Sequence, residues 1–154
     1  MNIQYRQKGA SLIETMVALI VLGTGLLVVL SMQVKSVSFL KNASLYSQAS
    51  FLASDIYEGM LTTPSAINSY YINYADNTPS KPTCNTTATN CSPEQMASWN
   101  LHNWRSNVAS LLPGGRGEIS AMGEQIVIRV EFEVGTNADT GERETQEYQL
   151  ITDV

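Results

Sequence analysis

Apolar residues dominate the chain from Ala10 to Val34, and the 20 residues from Thr15 to Val34 include no ionisable side chain. As a helix rising about 1.5 Å per residue, that run covers about 30 Å, the thickness of a bilayer core. From Gln33 to about Leu61 there is no proline, and Val37, Leu40, Leu45, Leu52, Ile56 and Met60 recur at roughly helical spacing, with small serines and alanines filling much of the rest. The pattern predicts one helix from about Ala10 to Leu61, ending at Thr62-Thr63-Pro64. Residues 10–34 form its membrane half, and residues 35–61 an amphipathic half with a small-residue back face. Gly23 and Gly25 are its weak points, each costing about 1 kcal/mol relative to alanine. Helix packing in a membrane accounts for them; a place of local unwinding is the alternative.

Beyond the long helix, the pattern breaks up. Residues 65–92 read as irregular structure, with Tyr70, Tyr71 and Tyr74 followed by Pro79, Pro82 and a cysteine loop. Ser92-Pro93-Glu94 then opens a second helix, serine as N-cap and proline in the first turn. It carries Met96, Trp99, Leu101, Trp104, Val108 and Leu111, and Leu112-Pro113-Gly114-Gly115 ends it; the tryptophans read as core anchors. In the last third the period becomes two: Ile126, Ile128, Val130, Phe132 and Val134 alternate with Val127, Arg129, Glu131 and Glu133. Gly135 to Gly141 is a polar turn, and Tyr148 and Leu150, continued by Thr152 and Val154, make a second strand. Glu118 to Met122 is a candidate third. The expected fold is α+β, a small antiparallel sheet with one wet face covered by the apolar side of the long helix.

Charge and cysteines narrow the setting. The formal charge is −5; Arg6 and Lys8 lie in residues 1–9 with no acid, so the remainder carries 7 basic and 14 acidic groups, a formal −7. The acids concentrate in the C-terminal third, which argues against a nucleic-acid partner and reads most simply as solubility. Cys84 and Cys91 lie in an Asn/Thr-rich stretch and are expected to form a disulfide in an exported domain. A metal site would need more ligands than these and His102, the one histidine.

Catalytic chemistry finds no support in motifs. His102 has no nucleophile motif around it, and Gly114-Gly115-Arg116-Gly117 follows a helix and precedes a strand, the wrong context for a phosphate loop. Asp139-Thr140-Gly141-Glu142 supplies too few acidic ligands at a recognised spacing for calcium. Glu14 stands apart. A carboxylate in a membrane segment costs on the order of 2.5–3.5 kcal/mol at the helix centre and less near the interface. An ordinary signal peptide has a short apolar core with a cleavage site after it. Here the apolar run is too long, holds Glu14 and has its candidate cut in front of it, between Gly9 and Ala10.

Gly9-Ala10-Ser11-Leu12-Ile13-Glu14 after a basic leader resembles the class III leader of type IV prepilins and pseudopilins. The resemblance implies a prepilin peptidase that cuts after Gly9 and methylates the Ala10 amine, with Glu14 as the acidic residue near the mature N-terminus. Ala10 departs from the family, which usually has phenylalanine there. Met16-Val17-Ala18-Leu19-Ile20-Val21-Leu22, then Gly25-Leu26-Leu27, the run Phe51 to Met60 and the turn Leu112 to Gly117 look like the PilV group of minor pilins. That likeness implies a type IV pilin-like fold with a leader at 1–9, an assembly helix at 10–34, its continuation at 35–61 and a periplasmic domain at 62–154. It further implies a non-enzymatic, cofactor-free subunit, held in the inner membrane by a single pass and then built into a surface pilus. Its partners would be other minor pilins, the major pilin and a tip adhesin. The rival readings are a minor pseudopilin of a type II secretion system, a signal-anchored periplasmic enzyme, and a secreted binding domain.

Overall fold

A computed structural model describes residues 11–84, 91–137 and 139–153. The order of elements is α1 (Leu12–Thr62), a 3-10 helix (Pro64–Tyr70), α2 (Pro93–Leu111), β1 (Arg116–Met122), β2 (Gln125–Thr136) and β3 (Arg143–Asp153). This is a type IV pilin-like α+β fold. Two compact units divide inside α1, one reaching to Lys41 and the other running from Asn42. In the first unit α1 continues unbroken through Gly23 and Gly25, neither of which has a neighbour within 4 Å of where a Cβ would stand.

The second unit is built on the sheet β1-β2-β3, antiparallel throughout. Period two sends Ile126, Ile128, Val130 and Phe132 of β2 to the core face, where Ile119 pairs with Ile128 and Tyr148 with Val130. The second half of α1 covers that face, with Leu45, Ala49, Leu52, Ala53, Ile56 and Met60 buried at spacings of three and four. The Tyr46 ring meets Phe132 edge-on at 5.3 Å between centroids, and the Ser50 hydroxyl donates to the Tyr148 hydroxyl at 3.2 Å. Ala49 and Ala53 therefore belong to the buried stripe rather than to a small-residue back face. Their lack of bulk suits a face packed closely on the rest of the core.

Three further expectations need correction. Residues 64–70, read as irregular, form the 3-10 helix, and Ile72 then makes a bridge to Ile119 on the edge of β1. The polar turn is shorter than expected: β2 runs on to Thr136 past a register shift between Glu133 and Gly135, so Gly135 pairs with Glu144 and Thr136 with Arg143. Val127, expected on the wet face, is fully buried.

α2 starts as its sequence demands. The Ser92 hydroxyl accepts from the Gln95 amide and the Gln95 side chain accepts from the Ser92 amide, a capping box with Pro93 in the first turn. Its end is a turn with Gly114 at φ 58°, a left-handed conformation that favours glycine. Trp104 anchors the helix: its indole N–H donates to the Leu52 carbonyl at 2.9 Å.

Arg105 has no counterpart in the apolar pattern, yet it is buried. Its guanidinium donates to the carbonyls of Asp76 (2.5 Å), Asn73 (3.1 Å), Tyr74 (3.3 Å) and Gly117 (3.3 Å). One side chain thus ties the 73–76 loop to the first strand, its buried guanidinium paired throughout with main-chain carbonyls. Burial lowers its pKa, and the nearby Asp76 opposes that shift.

Candidate functional site

Between Leu12 and Val34 the first unit offers one ionisable group, Glu14, in an otherwise apolar setting. Every large apolar side chain from Leu12 to Leu40 is exposed, an arrangement that water penalises and lipid or neighbouring helices accept. The mean hydropathy of its most apolar 18-residue window is 2.4, so the helix is long and apolar enough to cross a membrane. The hydroxyls between Leu12 and Val34 are satisfied within the helix. Thr15 donates to the Leu12 carbonyl (2.8 Å), Thr24 to Val21 (3.0 Å) and Ser31 to Val28 (2.8 Å). Such back-bonding removes the cost of carrying a hydroxyl into an apolar medium.

Glu14 differs from these hydroxyls. It lies in the first turn of α1, where the Ser11 carbonyl accepts from its amide at 2.9 Å and from the Thr15 amide at 3.2 Å. The partial positive charge of a helix N-terminus favours an acid at that position. Yet the Glu14 carboxylate has no hydrogen bond or ion pair among the described residues. The helix thus presents, near the start of an exposed apolar surface, one acidic group in want of a cation. Gly9 and Ala10, the expected cleavage and methylation positions, lie outside the described residues.

The remaining candidates fall in the second unit. Cys84 and Cys91 are joined by a disulfide with their Cα atoms 5.6 Å apart. His102 packs toward the 79–84 segment, its Nδ1 2.8 Å from the Pro79 carbonyl. In the loop that holds Asp139 to Glu142, the Asn137 side chain accepts from the amides of Asp139 (2.9 Å) and Thr140 (3.2 Å), so the loop is closed by its own hydrogen bonds. Among the described residues no group of three His, Cys, Asp or Glu could hold a metal ion.

Two features escaped the sequence reading. On the outer face of the sheet, Arg116 pairs with Glu131, Arg129 with Glu118 at 2.6 Å, and Arg143 with Glu133 at 2.7 Å. Tyr74 reaches over this face, donating to Glu147 at 2.9 Å with the Arg116 guanidinium 5.6 Å from its ring centre. Burial, the bond to Glu147 and the surrounding carboxylates push its phenol well above the ordinary range. The period-two pattern foretold the charged face but not that a tyrosine 42 residues before Arg116 would close over it. The other feature is a groove between α1 and α2, lined on one side by Asp55 and Glu58 and on the other by Trp99, Asn103 and Asn107.

Residues 4–30 match the model of the prokaryotic N-terminal methylation motif, and residues 31–102 match the model of the type IV pilin Tt1218 family. Together these support a pilin or pseudopilin structural subunit, and the methylation motif implies processing by a prepilin peptidase. The motif and the apolar helix suggest membrane anchoring and pilus assembly. No curated protein and no solved structure gives a significant match to the chain.

Proposed function

We propose that this chain is a minor pilin, cut after Gly9, methylated at the Ala10 amine and built into a type IV pilus through its exposed apolar helix. Before assembly the helix holds it in the inner membrane with residues 62–154 in the periplasm. The observation that carries the proposal is the carboxylate of Glu14, alone among satisfied hydroxyls at the N-terminal end of that helix. In a bundle of such helices, Glu14 pairs with the free N-terminal amine of a neighbouring subunit. In apolar surroundings an unpaired charge is expensive, so the pairing selects one axial register among helices whose apolar surfaces alone would slide.

The finer placement, in a PilV-like priming complex at the pilus tip with other minor pilins and an adhesin, is supported by the runs Met16–Leu22, Phe51–Met60 and Leu112–Gly117. Its experiment is mass spectrometry of the mature chain from membranes. A start at N-methylated Ala10 is the expected result. An intact Met1 would favour a plain signal anchor, and a start beyond Ser31 a secreted domain.

A further inference from the structure

We propose that the free edge of β3 is a docking site for an extended segment of a partner protein, one that alternates apolar residues with lysine or arginine and joins the sheet as a further strand. The inference does not depend on the pairing of Glu14.

The direction of the main-chain groups across the sheet follows from one contact. Ile119 donates to Ile72 at 2.9 Å and accepts from it at 3.0 Å, so its peptide groups point away from β2. Ile119 lies opposite Ile128, and Ile128 opposite Leu150. Along an antiparallel ladder the bonding direction alternates residue by residue. Ile128 therefore bonds toward β3, and Leu150 back toward β2. It follows that Thr145, Glu147, Gln149 and Ile151 aim their N–H and C=O groups away from β2, off the edge of the sheet. These residues are exposed, and among the described residues their outward main-chain groups meet no donor or acceptor.

The two edges of the sheet thus differ. That of β1 is closed at Ile119 by Ile72, whereas β3 runs for 11 residues without a proline or a bridge on its free side. A long open edge of this kind is a template for strand addition.

Side chains along the edge select the occupant. On the core face Tyr148 and Leu150 are only half-buried, leaving apolar surface for alternate residues of an added strand. On the outer face stand Glu147, Ile151 and Asp153. The strand carries Glu144, Glu147 and Asp153 against Arg143, which is held by Glu133. Glu147 is shared with Tyr74 and Arg129, but Glu144 has no partner among the described residues. The preceding loop adds Asp139 and Glu142. Basic side chains of the incoming segment answer these acids, with their methylene stems over Ile151. A second copy would bring a β3 of the same sign, which charge disfavours.

The test uses the full chain in detergent micelles, with amide hydrogen exchange followed by NMR. In the free protein the amides of Glu147, Gln149 and Ile151 should exchange fast and those of Tyr148 and Leu150 slowly, the alternation that the ladder dictates. The probe is a capped peptide of about nine residues in which valine alternates with lysine, a typical strand length. Its counterpart carries glutamate in place of lysine. The expected result is saturable binding of the lysine peptide that slows the three fast amides about tenfold, and no such slowing with the glutamate peptide. Gln149→Pro removes an N–H that β2 does not use, so it should abolish the binding while protection in β2 is kept. Ile151→Lys retains every ladder bond and should weaken binding of the lysine peptide about tenfold. Unaltered exchange at Glu147, Gln149 and Ile151 under excess lysine peptide overturns the proposal, as does equal binding of the two peptides, or undiminished binding by both variants. A free chain that dimerises with these three amides already slow would place a second copy on the edge and overturn the choice of occupant.

Discussion

Trp104 on α2 hydrogen-bonds the Leu52 carbonyl on α1, and the same indole ring occupies the space that a side chain at Gly117 would need. A Cβ on Gly117 would stand 2.4 Å from the Trp104 ring. One tryptophan thereby joins both helices to the first strand.

This arrangement makes Trp104 and Gly117 energetically coupled. Trp104→Ala should destabilise the domain by about 3–5 kcal/mol, as for other large-to-small changes of buried aromatics. Gly117→Ala should cost about 1–3 kcal/mol through overpacking. Trp104→Phe gives up the bond to Leu52 but withdraws the far side of the ring, so it should partly rescue Gly117→Ala. A double-mutant cycle by urea denaturation measures the coupling, and simple additivity would contradict the geometry.

Arg105→Met keeps much of the side chain's bulk and removes its donors. It should destabilise by about 1.5–3 kcal/mol, the usual worth of hydrogen bonds to a charged group. Hydrogen exchange should quicken at Ile72 and Ile119, whose bridge lies beside the loop that Arg105 holds, before it quickens in β2.

Tyr74 gives the domain an alkaline liability. Its folded-state pKa is raised above the ordinary value near 10, chiefly by burial and then by Glu147. Below pH ~10 both the folded and unfolded phenols are protonated, and the associated stability is fully present. Above it the unfolded chain gives up its proton first, so stability falls as pH rises toward the folded-state pKa. Tyr74→Phe should flatten this decline in the melting temperature, whatever its effect at neutral pH.

Reduction of the Cys84–Cys91 bridge should lower stability by about 2.5 kcal/mol on the chain-entropy view, since the closed loop is short. Melting curves with and without a phosphine reductant measure it, and a Cys84→Ser/Cys91→Ser double variant should match the reduced protein.

The long helix, α2 and β2 were legible in the sequence because each buries a periodic face, and periodicity survives in one dimension. The 3-10 helix at Pro64–Tyr70 was not, because it has no repeating apolar face. Tyr70 settles that segment by contacts spread along the chain: its hydroxyl lies 2.9 Å from that of Thr63, donates to the Gly59 carbonyl and accepts from Asn100. Arg105 was hidden because its partners are main-chain carbonyls, which leave no mark on residue type. Glu14 was legible because an uncharged run isolates it. The groove was not, since Asp55 and Asn103 come together only when two helices pack.

The most direct test of the assembly role is the share of Glu14→Gln protein recovered in sheared pili relative to membranes. The substitution keeps the shape of the side chain and removes its charge. The expected result is normal membrane insertion and normal processing at Gly9, with the variant largely missing from the pilus fraction. Incorporation equal to that of the unmutated chain would contradict the pairing of Glu14 with a neighbour's amine.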